Sequence, residues 1–223
     1  TRRSARIGFR DLLHPMTPEG FLDRHFDREP LHLPGSPDRF SEVFSWDKAA
    51  AFLDMTTLWS ASTLKVVLDG KMVRPADYCV SAQTRDGAPV QQPDPVRVQA
   101  LIRRGATISL NFVETLSPEI AAIAAALQCW LNGETVCNIY CSWSGHQGFQ
   151  THFDFHDVFV LQIDGRKVWN IYEGQFDQAA NIDGYRSNSF SDEYTLKARG
   201  KVHMEVAMAP GDVLYIPRGR YHD

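Results

Sequence analysis

What the chain lacks narrows its function first. It has four cysteines in 223 residues (Cys79, Cys129, Cys137, Cys141) and no CxxC pair, which excludes a disulfide scaffold or a Cys-rich zinc site as its organising device. No run approaches roughly eighteen consecutive apolar residues, so no membrane-spanning helix is expected. Thr1-Arg2-Arg3-Ser4 is not followed by the apolar stretch of a secretory signal, and the chain reads as soluble and cytoplasmic. A large excess of one charge sign is lacking as well: the formal net charge of -4 gives no global attraction to nucleic acid or to an anionic membrane. Direct nucleic-acid binding is therefore not expected. Internal repeats, heptads and low-complexity tracts are absent, which removes solenoids and coiled coils. An initiator methionine is missing and the sequence stops abruptly at His222-Asp223, as in an excised piece.

What is present is enough apolar material, 43% of residues, for a packed domain with an elaborated N-terminal half. Helix starts are marked by Thr17-Pro18, Ser45-Trp46, Asp94-Pro95 and Ser117-Pro118, each an oxygen-bearing cap before the first turn. They predict helices over 18–26, from Trp46 to about Leu53, from 95 to a stop at Gly105, and from 118 to Asn132-Gly133. Asp69-Gly70 between two apolar runs predicts a hairpin. Residues 81–95, rich in Gly, Gln and Pro, read as a loop.

From Thr135 onward the pattern alternates. Strands are expected over 135–143, 150–163, 166–172, 202–208 and 213–216, separated by Asp164-Gly165 and Pro210-Gly211. Residues 174–195 are polar and without period, which suggests an insert between strands, with Tyr172, Phe176, Tyr185 and Phe190 either forming a groove or packing back on the sheet. The expectation is a mainly β jelly roll with N-terminal helices, divided into an N-terminal elaboration over 1–134 and a β core over 135–223.

Within that core, His152-Phe153-Asp154 opens a predicted strand, where residues two apart share a face. An imidazole and a carboxylate on one face supply two of the three ligands of the facial triad that leaves positions open on non-haem Fe(II). His222, after Pro210-Gly211-Asp212, an apolar strand and Pro217-Arg218-Gly219, is the candidate for the third. By itself the pair also fits a hydrogen-bonded strand couple. Lys167 could anchor a carboxylate from an inward strand position, or simply face solvent. Asn138 and Tyr140 could point inward together, and His156 could contact substrate at the pocket mouth or lie on the rim.

These residues resemble a known family. Asn138-Ile139-Tyr140, His152-Phe153-Asp154, Asp157 through Gln162, Gly165-Arg166-Lys167-Val168-Trp169 and Gly211 through Pro217 with His222 are similar to the JmjC-type 2-oxoglutarate oxygenases, particularly the ribosomal oxygenase (cupin 4) branch. A fainter likeness covers Phe21-Leu22-Asp23 through Leu31. The resemblance implies a double-stranded β-helix of cupin type. It implies Fe(II) on His152, Asp154 and His222, 2-oxoglutarate held at its C5 carboxylate by Lys167 and Tyr140, Asn138 lining the pocket, and O2 as oxidant. The implied activity is hydroxylation of a protein or peptide side chain, such as an Arg or His of a ribosomal protein. The alternatives are hydroxylation of a small metabolite or peptide natural product, and a non-catalytic metal-binding cupin. A homodimer formed through a C-terminal region beyond this chain is also implied.

Overall fold

The computed structural model describes residues 7–177 and 190–223, and its contacts fall into two compact units. One joins the N-terminal residues up to Val43 with Thr151–Asp223, and the other is Phe44–Gln150. This grouping differs from a cut at 134/135. The N-terminal strand is stitched to a C-terminal one, and the strand near residue 140 pairs with one near residue 110. Among the described residues, no helix is long and apolar enough to cross a membrane.

The first unit holds two three-stranded antiparallel sheets. In one, β1 (Leu31–Leu33) pairs with β11 (Val213–Ile216), which pairs with β8 (Val158–Leu161). In the other, β9 (Lys167–Gln175) is flanked by β10 (Val202–Met208) and β12 (Arg220–His222). Period-2 alternation turns Ile171, Val206, Met208, Leu214 and Ile216 into one apolar cluster drawn from both sheets, with Val158, Val160 and Trp169 packed against it. Each such side chain contributes about 1.5–3 kcal/mol when fully buried. Two short helices, α1 (Phe9–Leu13) and α2 (Pro18–Arg24), precede β1. The Thr17 hydroxyl caps α2 by accepting from Gly20 N at 3.1 Å. Phe21, fully buried, meets the ring of Tyr215 edge-on at 4.8 Å.

The second unit is built on a four-stranded sheet in the order β3 (Lys71–Met72), β2 (Leu64–Leu68), β6 (Thr107–Asn111), β7 (Asn138–Cys141). Its helices are α3 (Trp46–Asp54), α4 (Pro75–Tyr78), α5 (Pro95–Arg103) and α6 (Pro118–Leu131). The caps on α3, α5 and α6 are those expected: Ser45, Asp94 and Ser117 accept from Lys48, Arg97 and Ile120 amides. Asn132 in the left-handed region ends α6.

Three expectations are corrected. Residues 81–95 are largely a hairpin, with β4 (Cys79–Gln83) paired to β5 (Pro89–Pro93) across a turn closed by Thr84 and Ala88. The prolines stand at the ends of β5, where a missing N–H is tolerated. The strand expected over 150–163 is regular only from Val158, because the residues before it depart from sheet pairing after His152. The segment 174–195 begins as the end of β9 and finishes in α7 (Asp192–Ala198), whose Ser191 cap accepts from Tyr194 N. Tyr185 lies outside the described residues, whereas Phe176 and Phe190 pack against Phe153.

The turn before β11 carries much of the first unit. Asp212, buried, accepts from Gly35 N at 2.9 Å and Ala209 N at 3.0 Å, and lies 3.0 Å from His32 Nε2. Burial opposes its ionisation, but the two amides and His32 outweigh it and hold the carboxyl below its ordinary range. Gly211 has φ +94°, and a Cβ there would sit 1.9 Å from the carbonyl oxygen of Ser36. Gly165 also has a positive φ, +66°, but opens on free space. Backbone strain and overlap together predict a loss of about 2–5 kcal/mol for Gly211→Ala, against about 1 kcal/mol for Gly165→Ala. Thermal unfolding of the two variants should separate them clearly, and equal melting temperatures would contradict this account of the turn.

Candidate metal centre

His152 and His222 face each other across an isolated antiparallel bridge. His152 N donates to His222 O at 3.0 Å, and His222 N donates to His152 O at 2.8 Å. Beyond the bridge, the main chain at Asp154 is held by Gly219 N, which donates to its carbonyl at 2.7 Å. The two segments are pinned on their reverse side as well. Phe153, between His152 and Asp154, and Tyr221, just before His222, are each 1% exposed and meet edge-on at 5.2 Å. Phe153 also stacks on Phe176 at 4.7 Å. With alternate residues committed to that aromatic cluster, His152, Asp154 and His222 emerge together on the other face.

One ligand atom from each of these three residues lies within 4.8 Å of the others. Asp154 Oδ2 is 3.6 Å from His222 Nε2, and the imidazole centroids are 4.4 Å apart. The carboxylate–imidazole spacing is too long for a hydrogen bond and close enough for one ion to bridge. His222 is 3% exposed; burial, reinforced by His152 and only partly opposed by Asp154, pushes its pKa well below that of an ordinary imidazole. Its Nδ1 lies 2.9 Å from the carbonyl oxygen of Arg220, which can only accept, so the proton sits on Nδ1. A neutral ring in that tautomer offers its Nε2 lone pair toward Asp154, which is the state a metal ligand needs. Two imidazoles and one carboxylate, with other coordination positions left to solvent or ligand, fit Fe(II) and its divalent neighbours.

Lys167 and Trp169, two apart on β9, share the face that carries the buried Ile171. The Lys167 ammonium lies 5.4 Å from the Trp169 ring centroid, and that ring lies 5.9 Å from His222. The inner face of β9 therefore runs from a cation, across an indole, to a candidate ligand. Trp169 was legible as a neighbour of this site from strand alternation after Lys167. The indole Nε1 is buried and has no hydrogen-bond partner among the described residues.

The remaining candidates lie on other segments. Asn138 and Tyr140 share one face of β7 in the second unit, where Asn138 Oδ1 accepts from Phe112 N at 3.4 Å and Tyr140 meets Phe149 edge-on at 5.6 Å. His156 is exposed, with Nδ1 3.2 Å from the Asp157 carbonyl oxygen, and does not join the three-residue group. The strand that was to align it with Asp154 has not yet begun at this point.

Comparison with known proteins bears on the family and the fold. A family model described as the JmjC domain matches residues 112–223. Ribosomal oxygenase 1 of Rattus norvegicus is 28% identical over 226 residues, covering 99% of this chain and 34% of that protein. The bifunctional lysine-specific demethylase and histidyl-hydroxylase NO66 of Aedes aegypti is 27% identical over 218 residues, covering 97% and 32%. In fold, the chain is similar to YcfD, a ribosomal oxygenase from Escherichia coli solved with cobalt and 2-oxoglutarate. That match has a TM-score of 0.53 at 19% identity and covers 93% of this chain and 47% of that one. The chain thus spans about a third of the length of these curated relatives and about half of that solved chain. The fold is the JmjC, cupin-like jelly roll.

The donor set generates a direct test with Co(II), whose absorption reports coordination. His222→Ala or Asp154→Ala should weaken Co(II) binding by about 100-fold or more, exceeding the 10–100-fold typical of groups outside the ligand set. His156→Ala should stay within about twofold of wild type. Wild-type affinity in His222→Ala would remove that residue from the centre.

Proposed function

Since this chain belongs to the JmjC domain family, we propose that it is an Fe(II)- and 2-oxoglutarate-dependent hydroxylase of a protein or peptide side chain. The observation that carries the reading is the convergence of His152, Asp154 and His222, with Lys167 on the neighbouring inner strand face. The names of relatives favour a His of a ribosomal protein as the target class, and the family resemblance adds Arg.

In this reading, His152, Asp154 and His222 would hold the metal by three protein donors. Iron, when bound, supplies O2 activation: 2-oxoglutarate becomes succinate and CO2, one oxygen atom entering succinate and the other converting a substrate C–H to C–OH. Lys167 holds the far carboxylate of 2-oxoglutarate by charge, and the flat face of Trp169 lines the path between that cation and His222. The low pKa of His222 keeps it an unprotonated donor at neutral pH. The buried apolar cluster drawn from β9, β10 and β11 keeps water from that side of the site and fixes the strand that carries Lys167. For Tyr140 and Asn138, the co-substrate roles rest on the family resemblance alone.

The test is anaerobic binding of Fe(II) and 2-oxoglutarate, followed by succinate release on admitting air. Wild type should bind both and release succinate, and incubation with ribosomal protein should add one oxygen to an Arg or His side chain, read by mass spectrometry. Lys167→Ala should keep metal affinity and weaken 2-oxoglutarate by about 10–100-fold, the loss of one charge-assisted contact of about 1.5–3 kcal/mol. A wild-type protein that binds neither iron nor 2-oxoglutarate would overturn the assignment in favour of a non-catalytic cupin.

A further inference from the structure

The metal-facing residues are bracketed by two others whose side chains touch. Thr151 precedes His152, Asp223 follows His222, and the Thr151 hydroxyl donates to Asp223 Oδ2 at 2.6 Å. The same carboxylate accepts from the Tyr172 hydroxyl at 2.7 Å on Oδ2 and from Asn170 Nδ2 at 2.9 Å on Oδ1. Asn170 and Asp223 also exchange main-chain hydrogen bonds, at 3.0 and 3.1 Å. Arg199, at the C-terminal end of α7, closes the group. Its Nη1 donates to Thr151 Oγ1 at 2.8 Å and to Tyr172 Oη at 2.9 Å, and lies 3.6 Å from Asp223 Oδ2. Its guanidinium also lies over the Tyr172 ring, 4.5 Å from the centroid.

The proton arrangement is consistent throughout. The guanidinium has no acceptor capacity, so both hydroxyls accept from it and pass their own protons to one carboxylate oxygen. A single cation thereby orients two hydroxyls belonging to different segments, one beside a candidate ligand and one on β9. Arg199 is itself placed by main-chain contact: its carbonyl accepts from Gly174 N at 2.8 Å. At Gly174 the chain comes so close that a Cβ would lie 2.0 Å from the carbonyl oxygen of Ala198. The absence of a side chain at Gly174 is what lets the end of α7 dock on β9.

We propose that Arg199 is a positioning residue that locks the His152 and His222 segments in register through Thr151, Tyr172 and Asp223. The consequence for metal binding rests on the reading of His152, Asp154 and His222 as ligands; the register lock itself does not. A short bridge of two main-chain hydrogen bonds gives little resistance to slippage by itself, and a one-residue slip of the Thr151–Asp154 segment would turn His152 toward the aromatic cluster. The Arg199 network sets the register from outside the bridge.

The test uses amide hydrogen exchange on the metal-free protein and Co(II) titration on the same variants. In Arg199→Met, the His152 and His222 amides should exchange about tenfold faster, the equivalent of one lost charge-assisted hydrogen bond, while the Val160 and Leu214 amides keep their wild-type rates. Co(II) affinity should fall by about 10–100-fold with an altered absorption spectrum, and Arg199→Lys should restore most of it. Gly174→Ala, which displaces the end of α7 but keeps the guanidinium, should give the same pattern. Unchanged exchange at both histidine amides would overturn the proposal, as would uniformly faster exchange with Co(II) affinity intact. Faster exchange in Arg199→Met, with a wild type that never binds Co(II), would uphold the register lock and sink the metal reading alone.

Discussion

The pairing of His152 with His222 is the contact on which the rest of the site depends. Two main-chain hydrogen bonds bring residues seventy positions apart in sequence face to face, and Asp154 follows two residues later on the same side. Everything behind that bridge maintains it. β12 is anchored on β9, the Gly219 amide fixes the Asp154 carbonyl, and Phe153 with Tyr221 fills the reverse face. The fold holds the three side chains at a fixed separation by committing Phe153 and Tyr221, the residues beside them, to an aromatic core.

Electrostatics and topology act together here. Burial favours a neutral His222, and the Arg220 carbonyl decides which of its nitrogens keeps the proton. The single cation on the inner face of β9 stands apart from the imidazoles with an indole between, a spacing suited to a ligand carrying charge at one end and metal-binding oxygens at the other. On the outer side, Arg199 neutralises Asp223, so the carboxylate beside His222 is committed to hydrogen bonds from Thr151, Tyr172 and Asn170. Burial opposes its charge, and those hydrogen bonds with Arg199 outweigh it and hold the carboxyl below its ordinary range.

Much of this was legible in sequence where the signal is local. Capping residues at 45, 94 and 117, the Asp69-Gly70 hairpin and the Pro210-Gly211-Asp212 turn each act through their own backbone, so their positions announce the elements they start or stop. The grouping of His152, Asp154 and His222 was legible because alternation and a distant histidine suffice to nominate them as candidates. Composition misled at 81–95, where Gln and Pro masked a hairpin whose prolines occupy strand ends. It misled again at 192–198, where a Ser-Asp-Glu start had marked a helix. The extent of the strand around His152 was overread, because alternating residues there are held by a single bridge rather than by a ladder. The Arg199 network was not legible at all. Its members lie at 151, 170, 172, 199 and 223, and no local pattern links an arginine at a helix end to a threonine forty-eight residues earlier.

The most direct test of the central claim is X-ray absorption at the iron edge on anaerobically Fe(II)-loaded protein, which counts imidazoles in the first coordination sphere. Two imidazoles with oxygen donors filling the remaining sphere are expected, falling to one in His222→Ala. A sphere with no imidazole, or one unchanged by removal of His222, would contradict the account that the His152–His222 bridge exists to present a metal centre.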